Sequence, residues 1–423
     1  VEQQERPELR GKPVAVVPME TDYTCAIAAS YEAKAYGVKT GTKIYEAKKM
    51  CPGLRCVLAR HHVYVDYHYR IMDEIENHLH IDRVWSIDEV ACSLLGRERL
   101  RENALALARQ IKDGLHHNVG AHIRCSIGLA PTGFLAKVAT EMQKPDGLVA
   151  IEEQDLPGPL FDLKLTDLPG INVNMERRLN NAGIKTIEQF WNLSPKHARK
   201  IWGGVQGERF WMWLHGQDAP APETKRGMIG HSRVLDPDLR APDKAKQMAR
   251  RLTTKAATRL RREEFYATSF TLSVKTVDGR RWAGEARLPP TQDNFSFLKA
   301  LEEMWKRVDD QMIRLSDDQN IFLRPSDYPI IRLSDHLKFK KLSITLTGLV
   351  RRREITPDLF DTRSEEYQKI QTGYEKLSQA MDKLNGKYGA ETVQLGPAPQ
   401  TKAGYVGTKI AFTRVPDRAE FWE

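Results

Sequence analysis

Two adjacent carboxylates, Asp88 and Glu89, interrupt an otherwise apolar stretch of the chain. The segment Ser86–Glu89 follows the apolar pair Val84–Trp85 and precedes the apolar residues Val90–Cys92. Neighbouring side chains of a strand point to opposite faces, so the two acids meet only where the chain bends. Converging carboxylates hold divalent metal ions that clamp the attacking and leaving oxygens of a phosphoryl transfer. The alternative is an acid pair exposed at the tip of a solvated hairpin.

Four further segments, taken together with Ser86–Glu89, indicate a family. Cys125–Ala130, Phe134–Lys137 and Lys144–Gly147 follow in order, and with Ser86–Glu89 they resemble the palm motifs of Y-family translesion DNA polymerases of the UmuC and DinB type. Ala29–Val38 is similar to the fingers segment of that family. Their order and spacing match as well, so the resemblance covers nearly the whole N-terminal half.

The resemblance implies template-directed addition of deoxynucleotides to a primer, with primer–template DNA and deoxynucleoside triphosphates as substrates. It implies that Asp88 and Glu89 are the catalytic ligands of two Mg²⁺ ions. Tyr31, Lys34 and Lys144 fall at positions that hold the triphosphate in the family. The family usually has Arg where Lys34 stands, and Lys lacks the planar fork that grips two oxygens.

The resemblance also predicts that the chain is N-terminally incomplete. Val1 aligns with residues that follow the family's first strand, which ends in Asp-x-Asp-x-Phe-Phe and carries a third catalytic Asp. A chain without that Asp is expected to be inactive. One alternative is therefore a catalytically inactive, polymerase-like DNA-binding subunit of a mutagenesis complex. A second alternative, a helix-hairpin-helix DNA-binding protein or nuclease, leaves the palm motifs unexplained.

The expected fold class is α+β multidomain, a right-hand polymerase with palm and fingers, a helical thumb and an α/β little finger. Residues 1–160 are assigned to the palm and fingers and 161–226 to a thumb with a helix-hairpin-helix. Residues 227–423 are assigned to the little finger, with an extra segment near 290–340 and a C-terminal tail. Within the palm, apolar residues at helical spacing predict helices over 63–79 and 100–115, and the alternation of strands and helices predicts a mixed sheet.

Two regions are candidates for DNA contact. The formal net charge of +9 fits a polyanionic partner. Gly170 lies just before the first helix of the helix-hairpin-helix candidate, where backbone N–H groups attract phosphate. The alternative is a purely structural hairpin. A helix predicted over Pro242–Glu264 carries a basic stripe, whose alternative is an ordinary solvated face. The stripe consists of Arg251, Lys255, Arg259 and Arg262.

The remaining expectations concern partners and surroundings. Leu359 and Phe360 belong to a peptide resembling the one that docks bacterial polymerases on the sliding clamp, with a tucked surface loop as the alternative. The five cysteines, an odd number in apolar surroundings, predict buried free thiols in a reducing compartment. No run of about 18 apolar residues is present, so no membrane span is expected. The chain is placed in the bacterial cytoplasm, at the nucleoid, in DNA repair and the SOS response.

Overall fold

A computed structural model describes residues 1–219, 226–317, 337–355, 365–389, 392–397 and 415–416. Residues 1–219 and residues 226–397 fall into two compact units that separate within the gap at 220–225. Each unit is described by itself below. Within these ranges, no helix combines the length and the apolar composition that crossing a membrane requires.

Residues 1–150 alternate short strands and helices, as the sequence pattern predicts. The elements in chain order are α1 Glu2–Glu5, β1 Val14–Val17, β2 Ala28–Ala29, α2 Tyr31–Ala35, α3 Ile44–Met50, β3 Arg55–Leu58, α4 His61–Glu76, β4 Arg83–Ser86, β5 Glu89–Ala91, α5 Arg101–Gly114, β6 Ile127–Leu129, α6 Gly133–Met142 and β7 Leu148–Ala150. Helices α4 and α5 confirm the two helices predicted from periodicity.

Within residues 1–150 a mixed sheet is present as expected, with β1 antiparallel to β2 and parallel to β3, but it does not include the other strands of these residues. Their strands form three separate small sheets: β1 between β2 and β3, the hairpin of β4 and β5, and the parallel pair of β6 and β7. The strands are only two to four residues long. Helix packing therefore contributes most of what holds these strand pairs in place.

A helical region completes the first unit. Its helices are α7 Gly158–Phe161, α8 Val173–Asn181, α9 Ile187–Trp191, α10 Pro195–Trp202 and α11 Val205–Leu214. Leu135 and Val138 of α6 pack in one hydrophobic core with Phe190 of α9 and Phe210 of α11. Residue 160 is the predicted boundary between palm and thumb. Side chains from before and after it share this core, which holds α6 against the helices that follow it.

The second unit is built on a four-stranded antiparallel sheet in the order β10-β9-β11-β8. Its elements in chain order are β8 Met228–Val234, α12 Pro242–Arg262, β9 Phe265–Thr276, β10 Arg281–Thr291, α13 Asn294–Asp317, β11 Phe339–Arg351 and α14 Glu365–Tyr388. Alternate residues of β9 and β11, such as Phe270, Leu272 and Ile344, are buried together with apolar residues of α12 and α13. Both helices therefore cover the same face of the sheet.

The segment near 290–340, expected to be an addition to the core, is part of the core over its described residues. Helix α13 buries Phe297, Leu301, Trp305 and Val308 against the sheet. These residues recur at spacings of four, four and three, which places them on one helix face. Residues 318–336 lie outside the described residues.

The cysteines are free thiols, as expected, but they are not all buried. Cys51 is fully buried, whereas Cys56 is exposed on the short strand β3. Burial raises the pKa of the Cys92 thiol to about 11. Cys92 is therefore protonated at neutral pH.

Helix α14 is fixed to the second unit by a buried arginine. Arg261 of α12 donates from Nε and Nη2 to the two carboxylate oxygens of Asp382 on α14, at 2.6 and 2.9 Å. Its Nη1 donates to the carbonyl oxygen of Gln292 at 2.6 Å and to Asn294 Oδ1 at 3.1 Å. The guanidinium thus joins α12, α14 and the start of α13.

Replacing Arg261 by Met should lower the free energy of unfolding of the second unit by about 2–4 kcal/mol, because Asp382 loses its partner in a partly buried site. Urea unfolding of the full chain measures the change. Lys244→Met is the matched control, since Lys244 is exposed on the same helix and should change stability by no more than about 0.5 kcal/mol. Equal effects of the two substitutions would contradict this role for Arg261.

Candidate active site

The acid pair lies at the tip of the hairpin formed by β4 and β5. Ser86 pairs with Glu89 across the turn, and Ile87 and Asp88 are the two turn residues. The Ser86 hydroxyl donates to Asp88 Oδ1 at 2.7 Å and accepts from the Asp88 backbone N–H at 3.4 Å. The chain therefore bends at the carboxylates, and the serine orients the first of them.

The hairpin tip is anchored from behind by a buried histidine. His68 of α4 is 4% exposed, and its Nδ1 lies 2.7 Å from the carbonyl oxygen of Ile87. Because a carbonyl oxygen only accepts, Nδ1 carries the proton and donates it. The backbone of the turn is thus held in place while the Asp88 side chain faces solvent.

A lysine of the Phe134–Lys137 motif that was not predicted as a site residue contacts Glu89. Lys137 of α6 forms an ion pair with Glu89 through Nζ and Oε1, and its Nζ lies 6.0 Å from the Trp85 ring centre. Helix α6 approaches β6 closely, because a Cβ at Gly128 would lie 1.9 Å from the Ala136 carbonyl oxygen. The sequence feature that could have indicated the position of Lys137 was the glycine in Cys125–Ala130, which is followed by the helix that carries Lys137.

The acids have the chemistry of a hard cation site but do not complete one by themselves. Asp88 is exposed and Glu89 is partly exposed, so the carboxylates of both residues are open to a ligand. Within the described residues, no three His, Cys, Asp or Glu side chains are grouped as a metal site. Two carboxylates fit a divalent ion whose other positions are filled by water and substrate oxygens.

Tyr31 and Lys34 lie together on α2, as the resemblance implies. The Lys34 ammonium lies 4.4 Å from the centre of the Tyr31 ring, and both side chains are exposed. Ser30 begins the helix, and its hydroxyl accepts from the Ala33 N–H at 3.4 Å and from the Val14 N–H at 3.0 Å. This cap fixes the single turn of helix that displays the pair.

Lys144 follows the C-terminal end of α6 and is exposed. Its ammonium lies 2.6 Å from Glu141 Oε1. Lys137 and Glu141 are four residues apart and lie on one side of α6, and Lys144 follows beyond the end of the helix. Among the described residues, Lys137 rather than Lys144 is the cation that pairs with the acid turn.

Gly170 is in a cleft of the first unit, about 670 Å³ in volume, that Lys137 and Glu141 also line. Its φ of +94° is in the region that favours glycine. Asn172 caps α8 by accepting from the Met175 N–H at 3.0 Å. Gly170 is therefore an exposed backbone position directly before a helix start.

The basic stripe of α12 is only partly open to solvent. Arg262 is exposed, whereas Arg251, Lys255 and Arg259 are half-buried. Arg259 donates from Nε to Glu263 Oε1 at 2.9 Å. The stripe stays a candidate for DNA contact, with part of its charge engaged inside the protein.

The uncovered face of the sheet in the second unit is a further basic surface, which the sequence interpretation missed. Lys275 and Lys341 are paired across β9 and β11, and Arg281 pairs with Lys275 across β10. Hydroxyl residues follow in the next rows, with Ser273 opposite Ser343 and Thr271 opposite Thr345. The sequence feature that could have indicated this face was the alternation of Ser and Thr with apolar residues along β9 and β11.

Comparison with known proteins decides the family. The model of the impB/mucB/samB family matches residues 1–141, and that of the impB/mucB/samB family C-terminal domain matches residues 226–359. The chain is 33% identical over 291 residues to DNA polymerase IV of Moorella thermoacetica, covering 67% of this chain and 72% of that protein. It is 26% identical over 397 residues to DNA polymerase IV 1 of Bacillus subtilis, covering 92% and 88%.

The chain belongs to the impB/mucB/samB family of Y-family DNA polymerases. The resemblance drawn from the motifs is therefore confirmed.

Solved structures agree with the Y-family fold. A Y-family DNA polymerase chimera of Dbh and Dpo4 matches with a TM-score of 0.65 and 21% identity, covering 83% of this chain and 95% of that chain. An insertion ternary complex of Dbh DNA polymerase matches with a TM-score of 0.50 and 22% identity, again covering 83% of this chain and 95% of that chain. The expected α+β multidomain class is confirmed. Leu359 and Phe360, the clamp-binding candidates of this Y-family chain, lie outside the described residues.

Gly128→Ala should lower the free energy of unfolding of the first unit by about 1–3 kcal/mol, because the added methyl meets the α6 backbone. Urea unfolding of the full chain provides the measurement. Gly158→Ala is the matched control, since a Cβ at Gly158 meets no atom within 4 Å. A Gly128→Ala variant as stable as the Gly158→Ala variant would show that β6 and α6 do not need this close approach.

Proposed function

We propose that the turn carrying Asp88 and Glu89 is the catalytic centre of a translesion DNA polymerase, which extends a primer opposite damaged template bases. The enzyme class, a DNA-directed DNA polymerase of the Y family, follows from the family match. The observation that carries the assignment of the centre is the geometry of the turn. It presents two accessible carboxylates, oriented by Ser86 and anchored through His68.

We further propose that Asp88 and Glu89 bind two Mg²⁺ ions. When bound, such ions neutralise charge on the triphosphate and favour ionisation of the primer hydroxyl. The chain itself supplies position: Ser86 holds the Asp88 carboxylate, and Lys137 balances the charge of Glu89. Little covalent chemistry is required of the protein in phosphoryl transfer, so positioning and electrostatics carry most of the catalysis.

The proposed nucleotide site uses three exposed side chains. Tyr31 and Lys34 are held side by side on the capped turn of α2, where an ammonium and a phenol suit a triphosphate. Lys144 would supply a further positive charge from beyond the end of α6. Its pairing with Glu141 orders the ammonium before nucleotide binds.

DNA would be bound through phosphates rather than through base edges. The uncovered sheet face presents Lys275, Lys341 and Arg281 among hydroxyl side chains, which suits a sequence-independent contact with a polyanion. In the first unit, the exposed backbone at Gly170 would add a phosphate contact. The stripe of Arg251, Lys255, Arg259 and Arg262 is the alternative surface in the second unit.

The cellular setting is also a proposal. DNA synthesis past lesions suits a role in DNA repair and the SOS response at the bacterial nucleoid, in the cytoplasm. Leu359 and Phe360 would anchor the chain in an apolar pocket of the sliding clamp, as paired apolar residues do at interface hot spots.

Asp88→Asn and Glu89→Gln should each reduce primer extension by about 10²-fold or more, because each removes charge that positions the reacting groups. DNA affinity should be unchanged, since neither acid contacts phosphate in this proposal. A primer-extension assay measures the activity, and fluorescence anisotropy with a labelled duplex measures the DNA affinity. Both assays use the full-length gene product.

The control for the acid variants is Glu102→Gln, which alters an exposed acid of α5 and should leave extension unchanged. Full extension by both Asp88→Asn and Glu89→Gln would remove these acids from the mechanism. If the unaltered polypeptide binds DNA but extends no primer, the inactive DNA-binding subunit becomes the better description.

Lys275→Ala combined with Lys341→Ala should reduce the slope of log affinity against log salt by about 1.8, because each lost phosphate contact on duplex DNA removes about 0.9. The same measurement on Arg251→Ala combined with Lys255→Ala tests the stripe. We expect a smaller change there, since both stripe residues are half-buried, whereas Lys341 of the sheet pair is exposed. A slope changed only by the stripe pair would assign the contact to α12 instead of the sheet.

A further inference from the structure

Helix α14 of the second unit exposes apolar residues to solvent. Ile370, Leu377 and Leu384 are spaced by seven residues and are 45%, 50% and 42% exposed. Seven-residue spacing aligns them in one row along the helix. Tyr374 and Tyr388 flank the row and are also exposed. We call Ile370, Leu377 and Leu384 the apolar row.

The side of α14 that faces its own unit makes mostly polar contacts, together with the buried Met381 and a stack of the Tyr374 ring on the Phe295 ring at 4.6 Å. The Asn294 N–H donates to Ser378 Oγ at 3.0 Å, and Tyr266 donates from its hydroxyl to Glu375 Oε2 at 3.4 Å. Asp382 binds Arg261. Gln371 lies 3.4 Å from the Ser296 hydroxyl.

The apolar row therefore lies outside the core-facing side of α14, whereas in the usual amphipathic arrangement the apolar stripe faces the core. Turning the helix to bury the apolar row would break the buried ion pair and hydrogen bonds, so the outward orientation is specified by the polar side. Exposed apolar surface held in this way is typical of an interaction site.

Positive charge borders the apolar row on one side. Lys369, Lys376 and Lys383 are exposed and repeat with the same seven-residue spacing, so they form a parallel row. Between the two rows lie Gly373 and Ala380, whose small side chains leave room for a second helix to approach closely. The surface is therefore an apolar strip with a basic edge.

Charge argues against a second copy of this chain as the occupant. In a two-fold antiparallel pair of helices, equivalent rows meet, so the lysine rows of the two copies would repel. In a parallel two-fold pair, the lysine row of each helix would face the opposite edge of the other helix. That edge is already covered by α12 and α13 of its own chain, so a parallel pair is blocked as well.

We propose that α14 is a docking surface for an amphipathic helix of another protein, one with leucine-type residues in a single row and acidic residues along the edge that meets the lysines. Such helix-in-groove recognition uses apolar anchors for affinity and flanking charge for the choice of partner.

Two synthetic peptides of about 20 residues, long enough to form a helix, test the proposal against the full chain. Both carry the same leucine row; one is flanked by Glu and the other by Lys. Fluorescence anisotropy should show the Glu-flanked peptide binding at least about tenfold more tightly, since like charges at an interface cost several kcal/mol.

Variants assign that binding to α14. Leu377→Glu should abolish it, and Lys376→Glu combined with Lys383→Glu should reverse the preference between the peptides. Gln379→Glu is the matched control, because Gln379 is exposed on the opposite side of the same helix and its substitution should change nothing. All variants alter exposed side chains, and urea midpoints equal to that of the unaltered chain verify that they fold.

Several outcomes would overturn the proposal. Equal binding of the two peptides, or binding of neither, would remove the apolar, basic-edged surface as a recognition site. A dimer in sedimentation that Leu377→Glu dissociates would assign the row to a second copy. Amide hydrogen exchange that increases in another segment of this chain in Leu377→Glu would assign the row to an internal contact.

Discussion

The position of the acid pair depends on the close approach of β6 and α6 at Gly128. Any side chain there would collide with the carbonyl oxygen of Ala136, so the helix packs directly on the strand backbone. That contact sets where Lys137 lies, and Lys137 holds Glu89. The opposite side of the turn is fixed by His68. The turn is thus held from two helices, while the Asp88 carboxylate stays open.

The two units use burial differently. In the first unit, small apolar clusters hold the short strands, and a larger one joins α6 to the helices that follow it. In the second unit, one large core lies under the sheet, and a polar layer lies over α12 and α13. Arg261 is at the centre of that layer. These polar contacts hold α14 in the orientation that leaves its apolar row exposed.

Much of the site was predictable because it is local in sequence. Asp88 and Glu89 share one turn with Ser86, and Tyr31 and Lys34 share one helical turn, so their proximity follows from chain geometry. Lys137 was not predicted as a site residue, because its partner Glu89 is 48 residues away. The uncovered sheet face was missed for a related reason: its rows combine residues from three strands, and only the register brings them together.

The sequence by itself determined the family, the fold class, the acid turn and most helices, since motifs and apolar periodicity are carried by neighbouring residues. Only the tertiary structure decided that the short strands form three sheets, that α13 belongs to the core, and that α14 turns its apolar row outward. The row of Ile370, Leu377 and Leu384 by itself favours burial. The polar contacts of Ser378 and Asp382 with residues far along the chain reverse that preference.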